Sequence, residues 1–180
     1  MNRKLKTSEL NRPTQQAYRA LEKLPVVVVL DNIRSLSNVG SVFRTSDAFL
    51  VEHVTLCGIT GRPPHREIQR TALGATESVE WSYKESTLEA VQEWKEKGYH
   101  VVCIEQTSGA KNPSSLSDFD KLCLVLGNEV DGVDQHVIEA SDACVEIPQS
   151  GTKHSLNVSV AAGVVLWEVY RERKARASET

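Results

Sequence analysis

Six short apolar runs recur along this chain, each rich in β-branched or aromatic residues and each bounded by polar or turn-forming ones. They are VVVVL at 26–30, HVTLCG at 53–58, VEWSY at 79–83, HVVCIE at 100–105, KLCLVLG at 121–127 and ACVEI at 143–147. Runs of this length and composition read as buried strands. Between them lie segments with helical spacing, at 39–50, 68–73, 88–97 (closed by Gly98) and 135–140, and a final helix follows the last strand. Strands that alternate with helices predict an α/β fold with a mostly parallel sheet and helices on both faces. Ligands of such sheets sit beyond the carboxyl ends of the strands. The polar loops after VVVVL, KLCLVLG and ACVEI leave such ends, so a site is expected there.

The stretch at 147–171, IPQSGTKHSLNVSVAAGVVLWEVYR, joins a turn-rich loop at 148–154 to that final helix. Leu156, Val158, Val160, Val164, Val165, Leu166, Trp167 and Val169 leave it almost no polar face. A helix patterned this way is expected to be buried on most of its surface. It would hold the donors and acceptors of the preceding loop on a packed scaffold. At the other end, residues 7–24 read as helical, with Pro13 starting or breaking a turn. Asn38 is a plausible N-cap of the helix at 39–50, and Ser155 could cap the last helix.

The 180 residues, 40% hydrophobic and 25% charged, suffice for one domain with a sizeable core. The longest apolar run, 160–167, is far too short to span a bilayer. No apolar segment follows the basic N-terminus as a signal peptide would require, so a cytoplasmic location without membrane contact is expected. Cys57, Cys103, Cys123 and Cys144 lack C-x-x-C spacing and read as reduced core thiols. The five histidines also lack ligand spacing, so no metal site is expected. The net charge of −3 is unevenly spread: residues 1–23 carry six basic against two acidic side chains, and 171–180 four against two, leaving −9 in between. Basic extensions at 1–24 and 171–180 on an acidic body suggest a polyanion touched by the termini, unless they serve only solubility.

G-x-G-x-x-G after the first strand, the P-loop and the G-x-S-x-G elbow are all missing, which argues against a dehydrogenase, a P-loop enzyme or an α/β-hydrolase. What stands instead are NIRSLSNVGSVFRTSDAF at 32–49, LVLGNEVDGV at 124–133 and IPQSGTKHSLNVSVAAGVVLWE at 147–168. In order and spacing these resemble the three motifs of the SpoU, or TrmH-type, RNA ribose 2′-O-methyltransferases of the SPOUT superfamily. The resemblance covers about residues 26–170. It implies a C-terminal trefoil knot that forms an S-adenosylmethionine site, and a homodimer with the active site near its interface. It also implies an RNA substrate. The short basic extensions look more like members that act on tRNA than like rRNA members with an added N-terminal domain.

Carried over residue by residue, the resemblance implies catalytic roles for Asn38, Arg44, Glu129, Ser155 and Asn157. Arg44 matches the proposed catalytic arginine. A guanidinium stays protonated at neutral pH, so a phosphate clamp and alkoxide stabiliser fits it better than a base. Glu129 is expected to orient Arg44 or the ribose hydroxyl. Gly127, Ile147 and Leu156 match cofactor-binding positions, with Thr107 near the preceding strand end; read without the resemblance, Ile147 and Leu156 are plain core. Arg34, Arg62 and Arg66 are candidates for RNA phosphate contact, of the kind that weakens steeply with salt. An RNA-binding module of this fold without catalysis is one rival reading. A small-molecule α/β enzyme is the other.

Overall fold

The strands are β1 (Leu24–Asp31), β2 (Val51–Cys57), β3 (Glu80–Lys84), β4 (His100–Ile104), β5 (Leu122–Leu126) and β6 (Ala143–Val145). Each contains or overlaps one of the apolar runs. In this computed structural model, which describes residues 2–178, they form one parallel sheet in the order β3-β2-β1-β5-β4-β6. The helices are α1 (Gln15–Ala20), α2 (Leu36–Ala48), α3 (Arg66–Ala72), α4 (Ala75–Ser78), α5 (Thr87–Glu96), α6 (Gln135–Ala140) and α7 (Val158–Ala177).

Alternate residues of a strand face opposite sides of its sheet, and a parallel sheet is covered on both. Val26, Val28 and Leu30 of β1 pack with Leu122, Leu124 and Leu126 under α2, α3 and α7, against Phe43, Ile68 and Leu166 among others. Val27 and Val29 face the other way with Val101, Cys103, Cys123 and Val125, under Val91 of α5 and Val137 of α6. An unbroken valine run is what a central strand with two dry faces needs. All four cysteines are free, three of them fully buried.

The strand order positions the site. The chain runs outward from β1 to β3, crosses to β4, and returns with β5 between β1 and β4. The direction of winding changes between β1 and β5, which opens a crevice at their carboxyl ends. From the edge strand β6 the chain then comes back to place α7 against α2.

Several boundaries differ from the sequence reading, each for a local reason. The helix expected over 7–24 is two pieces, a 3-10 turn at Thr7–Glu9 and α1. Asn11 takes a left-handed φ of 48° between them, and Thr14 restarts the helix by accepting the Ala17 N–H at 3.2 Å. Ser35, not Asn38, caps α2. Asn157, not Ser155, caps α7, its Oδ1 accepting the Ser159 N–H at 2.9 Å. The last strand stops at Val145 rather than Ile147, and the irregular stretch at 107–118 ends in a 3-10 turn, Pro113–Asp118.

The largest departure concerns α7. Val158, Ala162, Val165, Leu166 and Val169 are buried, but Val160, Val164 and Trp167 are 51%, 39% and 51% exposed. The helix is thus apolar on two faces and covered on one. The basic C-terminal stretch read at 171–180 is described as far as Ser178; Glu179 and Thr180, like Met1, lie outside the described residues.

Candidate active site

The loop after β5 is built by its own backbone. A Cβ on Gly127 would lie 2.2 Å from Gly132 C and from Val133 N, so the loop folds back directly over this position. Gly132 has φ +72°, a conformation that costs glycine little. Asn128 and Gly132 exchange backbone hydrogen bonds at 2.9 Å. The Asn128 Oδ1 accepts the N–H groups of Val130 and Asp131 at 2.9 and 3.2 Å. Its Nδ2 donates to the Asn32 carbonyl at 2.7 Å, tying this loop to the one after β1.

That closed turn presents Glu129. The carboxylate accepts three hydrogen bonds from the motif that opens α2: the Arg34 N–H at 2.9 Å, the Ser35 N–H at 3.0 Å and the Asn38 Nδ2 at 3.0 Å. Burial opposes its charge, but the Arg34 N–H, the Asn38 amide and the Ser35 N–H together outweigh it and hold the carboxyl below its ordinary range. The helix N-terminus behind Ser35 favours the same negative charge.

The network continues through amides whose orientation is forced. A carboxylate only accepts, so Asn38 must turn its NH₂ to Glu129 and its Oδ1 the other way. That Oδ1 accepts from Asn157 Nδ2 at 3.1 Å. Asn157 then has only its Oδ1 left for the Ser159 N–H and Oγ, at 2.9 and 2.6 Å. Glu129, Asn38 and Asn157, from the three separated motifs, are therefore one hydrogen-bonded relay. Asn38 is 9% exposed, and the relay satisfies its polar atoms.

The relay borders a cleft of about 480 Å³ at the carboxyl ends of β4, β5 and β6. Gly127, Glu129, Ile147, Ser155, Leu156 and Asn157 line it, as do Glu105, Gln106, Asn128 and His154. Ile104, Leu126, Val145, Ile147, Leu156 and Ala161 give it an apolar wall. Among the described residues, no backbone N–H between Ile147 and Leu156 donates to another part of the chain. The apolar wall suits one face of a flat heterocycle. Thr107 stands outside the lining; Ile104, Glu105 and Gln106 provide that side, and the Thr107 carbonyl accepts the Ala110 N–H.

Arg44 is not part of this arrangement within one chain. It is exposed on α2, six residues beyond Asn38, and so about 9 Å further along the axis and on another face of the helix. Its side chain makes no hydrogen bond or ion pair with another described residue, and the Glu129 carboxylate bonds to the 34–38 segment rather than to Arg44. Arg34 is exposed beside the relay, where its N–H serves Glu129. Arg62 lies 4.3 Å over the Tyr83 ring, a stacking that leaves its donors free. Arg66 opens α3, exposed. Much of the terminal charge is already engaged: Arg3 pairs with Glu9, Arg171 with Glu168 and Glu172, and Arg173 donates to the Phe119 and Asp120 carbonyls.

Sequence reasoning passed over three groups that build the site. Asn128 fastens the two loops, Glu105 accepts the Val133 N–H at 3.0 Å, and Gln106 donates to the His154 carbonyl at 2.6 Å. Their common signal was position: each lies within two residues of a strand's carboxyl end.

The model of a family described as the SpoU rRNA Methylase family matches residues 25–167. A 23S rRNA (guanosine-2′-O-)-methyltransferase, RlmB, of Neisseria meningitidis is 33% identical over 153 residues, which cover 85% of this chain and 61% of that protein. The chain spans about three-fifths of the length of the curated relatives it matches. The A. aeolicus TrmH/SpoU tRNA modifying enzyme superposes with a TM-score of 0.81 at 25% identity, over 91% of this chain and 84% of that one. An AdoMet-bound rRNA methyltransferase from Sinorhizobium meliloti does so with a TM-score of 0.76 at 26% identity, over 86% of this chain and 59% of that one.

Proposed function

Because this chain belongs to the SpoU rRNA Methylase family, we propose that it is an RNA methyltransferase that moves a methyl group from S-adenosylmethionine to a ribose 2′-hydroxyl. The observation that carries this reading is the relay from Glu129 through Asn38 to Asn157, which draws three loops together at one cleft. S-adenosylmethionine supplies an electrophilic methyl group on a sulfonium. The apolar wall with Ile147 and Leu156 suits its adenine.

The relay serves as a brace. It holds the start of α2, the 128–132 turn and the start of α7 in one geometry, so that reacting groups meet with little further ordering. Ser155 lies in the cleft lining beside it and is free to meet the ribose. The distance of Arg44 from the relay supports a homodimer in which a second copy brings its Arg44 to the cleft. The exposed stripe of Val160, Val164 and Trp167 on α7 is an apolar surface suited to that contact. Arg44 then clamps a phosphate and stabilises the developing alkoxide charge.

The trefoil knot belongs to the same proposal. Segment 144–157 is held to segment 105–111 by the Lys111 N–H on Cys144 O, the Glu146 N–H on Lys111 O and Gln106 on His154 O, a proximity that threading there would use. Arg34, Arg62 and Arg66 are proposed to meet RNA phosphates, with tRNA preferred to rRNA because basic side chains such as Lys4, Lys6 and Arg12 stand exposed near the N-terminus. A cytoplasmic location fits an RNA substrate, and no helix among the described residues is long and apolar enough to cross a membrane.

The test is incubation with S-adenosylmethionine carrying a labelled methyl group and separated tRNA and rRNA pools, then digestion to nucleosides. Label on 2′-O-methylated nucleosides is expected, chiefly from tRNA. Label on bases alone, or no label, would end the proposal.

A further inference from the structure

The cleft lies between two loops, and one dipeptide joins both. Strand β4 runs between β5 and β6. The loop after β5 forms one wall of the cleft, and the loop after β6 forms the other. Residues just past the carboxyl end of β4 therefore stand between the walls. They are Glu105 and Gln106, and both line the cleft.

Glu105 serves the β5 side. Its Oε2 accepts the Val133 N–H at 3.0 Å, and a Cβ on Gly132 would lie 2.3 Å from that same oxygen. Its Oε1 accepts the Gln106 N–H at 2.7 Å. This wall has a second fastening, Asn128 Nδ2 on the Asn32 carbonyl at 2.7 Å. Gln106 serves the β6 side, where its Nε2 donates to the His154 carbonyl at 2.6 Å.

The two walls are not held equally. Residues 148–157 are exposed and lie outside any helix or strand. A Cβ on Gly151 would meet nothing within 4 Å. Among the described residues, the Gln106–His154 bond is the one hydrogen bond from residues 147–156 to the rest of the chain. The other moorings lie just outside this loop: the Glu146 N–H on the Lys111 carbonyl, and Asn157 on Asn38. A loop moored at its ends keeps many conformations, and ordering it on a ligand costs free energy. A tether within the loop lowers that cost.

We propose that Gln106 is a positioning residue for S-adenosylmethionine, holding the 147–156 loop at the spacing from the 127–132 turn that the cofactor needs. This rests on the reading given under Proposed function. Ile147 and Leu156 belong to the tethered loop and to the apolar wall, so a loop that swings away takes that part of the wall with it. Gln106 acts on binding and not on the methyl transfer. Its loss raises the KM for the cofactor and leaves kcat near wild type once the cofactor saturates.

The experiment compares the wild-type protein with Gln106→Met and Gln106→Glu. The first keeps the approximate length without a donor. The second keeps the shape, but a carboxylate only accepts and faces another acceptor; once protonated it carries a donor again. Calorimetry follows S-adenosylmethionine binding from about pH 8 down to about pH 4.5, near the ordinary glutamate pKa. Steady-state rates are taken with the RNA pool that accepts label, and folding is followed by thermal midpoint. Gln106 is exposed, so both variants are expected to melt close to wild type. At neutral pH Gln106→Met should bind the cofactor about 3- to 10-fold more weakly, and Gln106→Glu more weakly still. For both, kcat at saturating cofactor should stay within about twofold of wild type. As the pH falls, Gln106→Glu should recover toward wild type measured at the same pH, while the ratio for Gln106→Met stays constant. Wild-type affinity in Gln106→Met, a fall in kcat with affinity unchanged, or a Gln106→Glu defect that does not move with pH would overturn the assignment. A variant that melts far below wild type would assign the bond to stability and overturn it as well. A wild-type protein that binds no S-adenosylmethionine would sink the functional reading itself, and this proposal with it.

Discussion

Replacing Glu129 with Gln isolates what the relay contributes. The change keeps the size and one acceptor oxygen, but turns the other oxygen into an NH₂ donor. The Ser35 N–H and the Asn38 amide share Oε1, so that oxygen serves best as the retained acceptor. The new NH₂ then faces the Arg34 N–H, which loses its 2.9 Å bond and meets another donor. A hydrogen bond to a charged group contributes about 1.5–3 kcal/mol. Glu129 is exposed, so water recovers part of this, and a loss of about 1 kcal/mol is the working figure. For a chain of this size that lowers the thermal midpoint by about 2–4 °C.

The effect must also depend on pH. In the folded chain the carboxyl is held below its ordinary range, so the folded state releases this proton more readily than the unfolded state. The stabilisation is therefore complete above the unfolded pKa of about 4.3 and disappears as pH falls through the lower folded value. Thermal melts of both proteins at pH 7 and stepwise down to about pH 3 should show a gap that is constant near neutrality and closes in acid. Equal midpoints at pH 7, or a gap of the same size at the acid end, would refute the reasoning.

Three further outcomes are expected. A double-mutant cycle of Asn38→Ala and Asn157→Ala should give a coupling of about 0.5–1.5 kcal/mol by chemical denaturation, since their 3.1 Å bond is partly buried. Gly127→Ala should cost about 1–3 kcal/mol and weaken S-adenosylmethionine binding in calorimetry, because the new Cβ meets backbone at 2.2 Å that cannot yield without reshaping the 128–132 turn. On the proposed dimer, the wild type should sediment as a dimer, whereas Trp167→Asp, which charges the exposed α7 stripe, should leave a folded monomer and remove methyl transfer along with the second Arg44.

The linear pattern of residues determined the layers of this protein. Runs such as VVVVL and KLCLVLG are apolar with little interruption, as a strand covered on two sides must be, and that pattern is a local property that survives without knowledge of neighbours. The polar loops at strand ends were legible for the same reason, whereas Glu129, Ser155 and Asn157 within them were singled out by the resemblance of the three motifs. The tertiary structure alone decided who meets whom. The return of β5 beside β1 brought Glu129 to Arg34, Ser35 and Asn38, with 91 to 95 positions between the partners, and the packing of α7 on α2 brought Asn157 to Asn38 across 119. Those pairings turned Glu129 from Arg44 to the start of α2, and the packing left one apolar face of α7 uncovered. A side chain's hydrogen-bonding capacity is written in its chemistry, whereas its partner is set by the crossovers that bring distant backbone within about 3 Å.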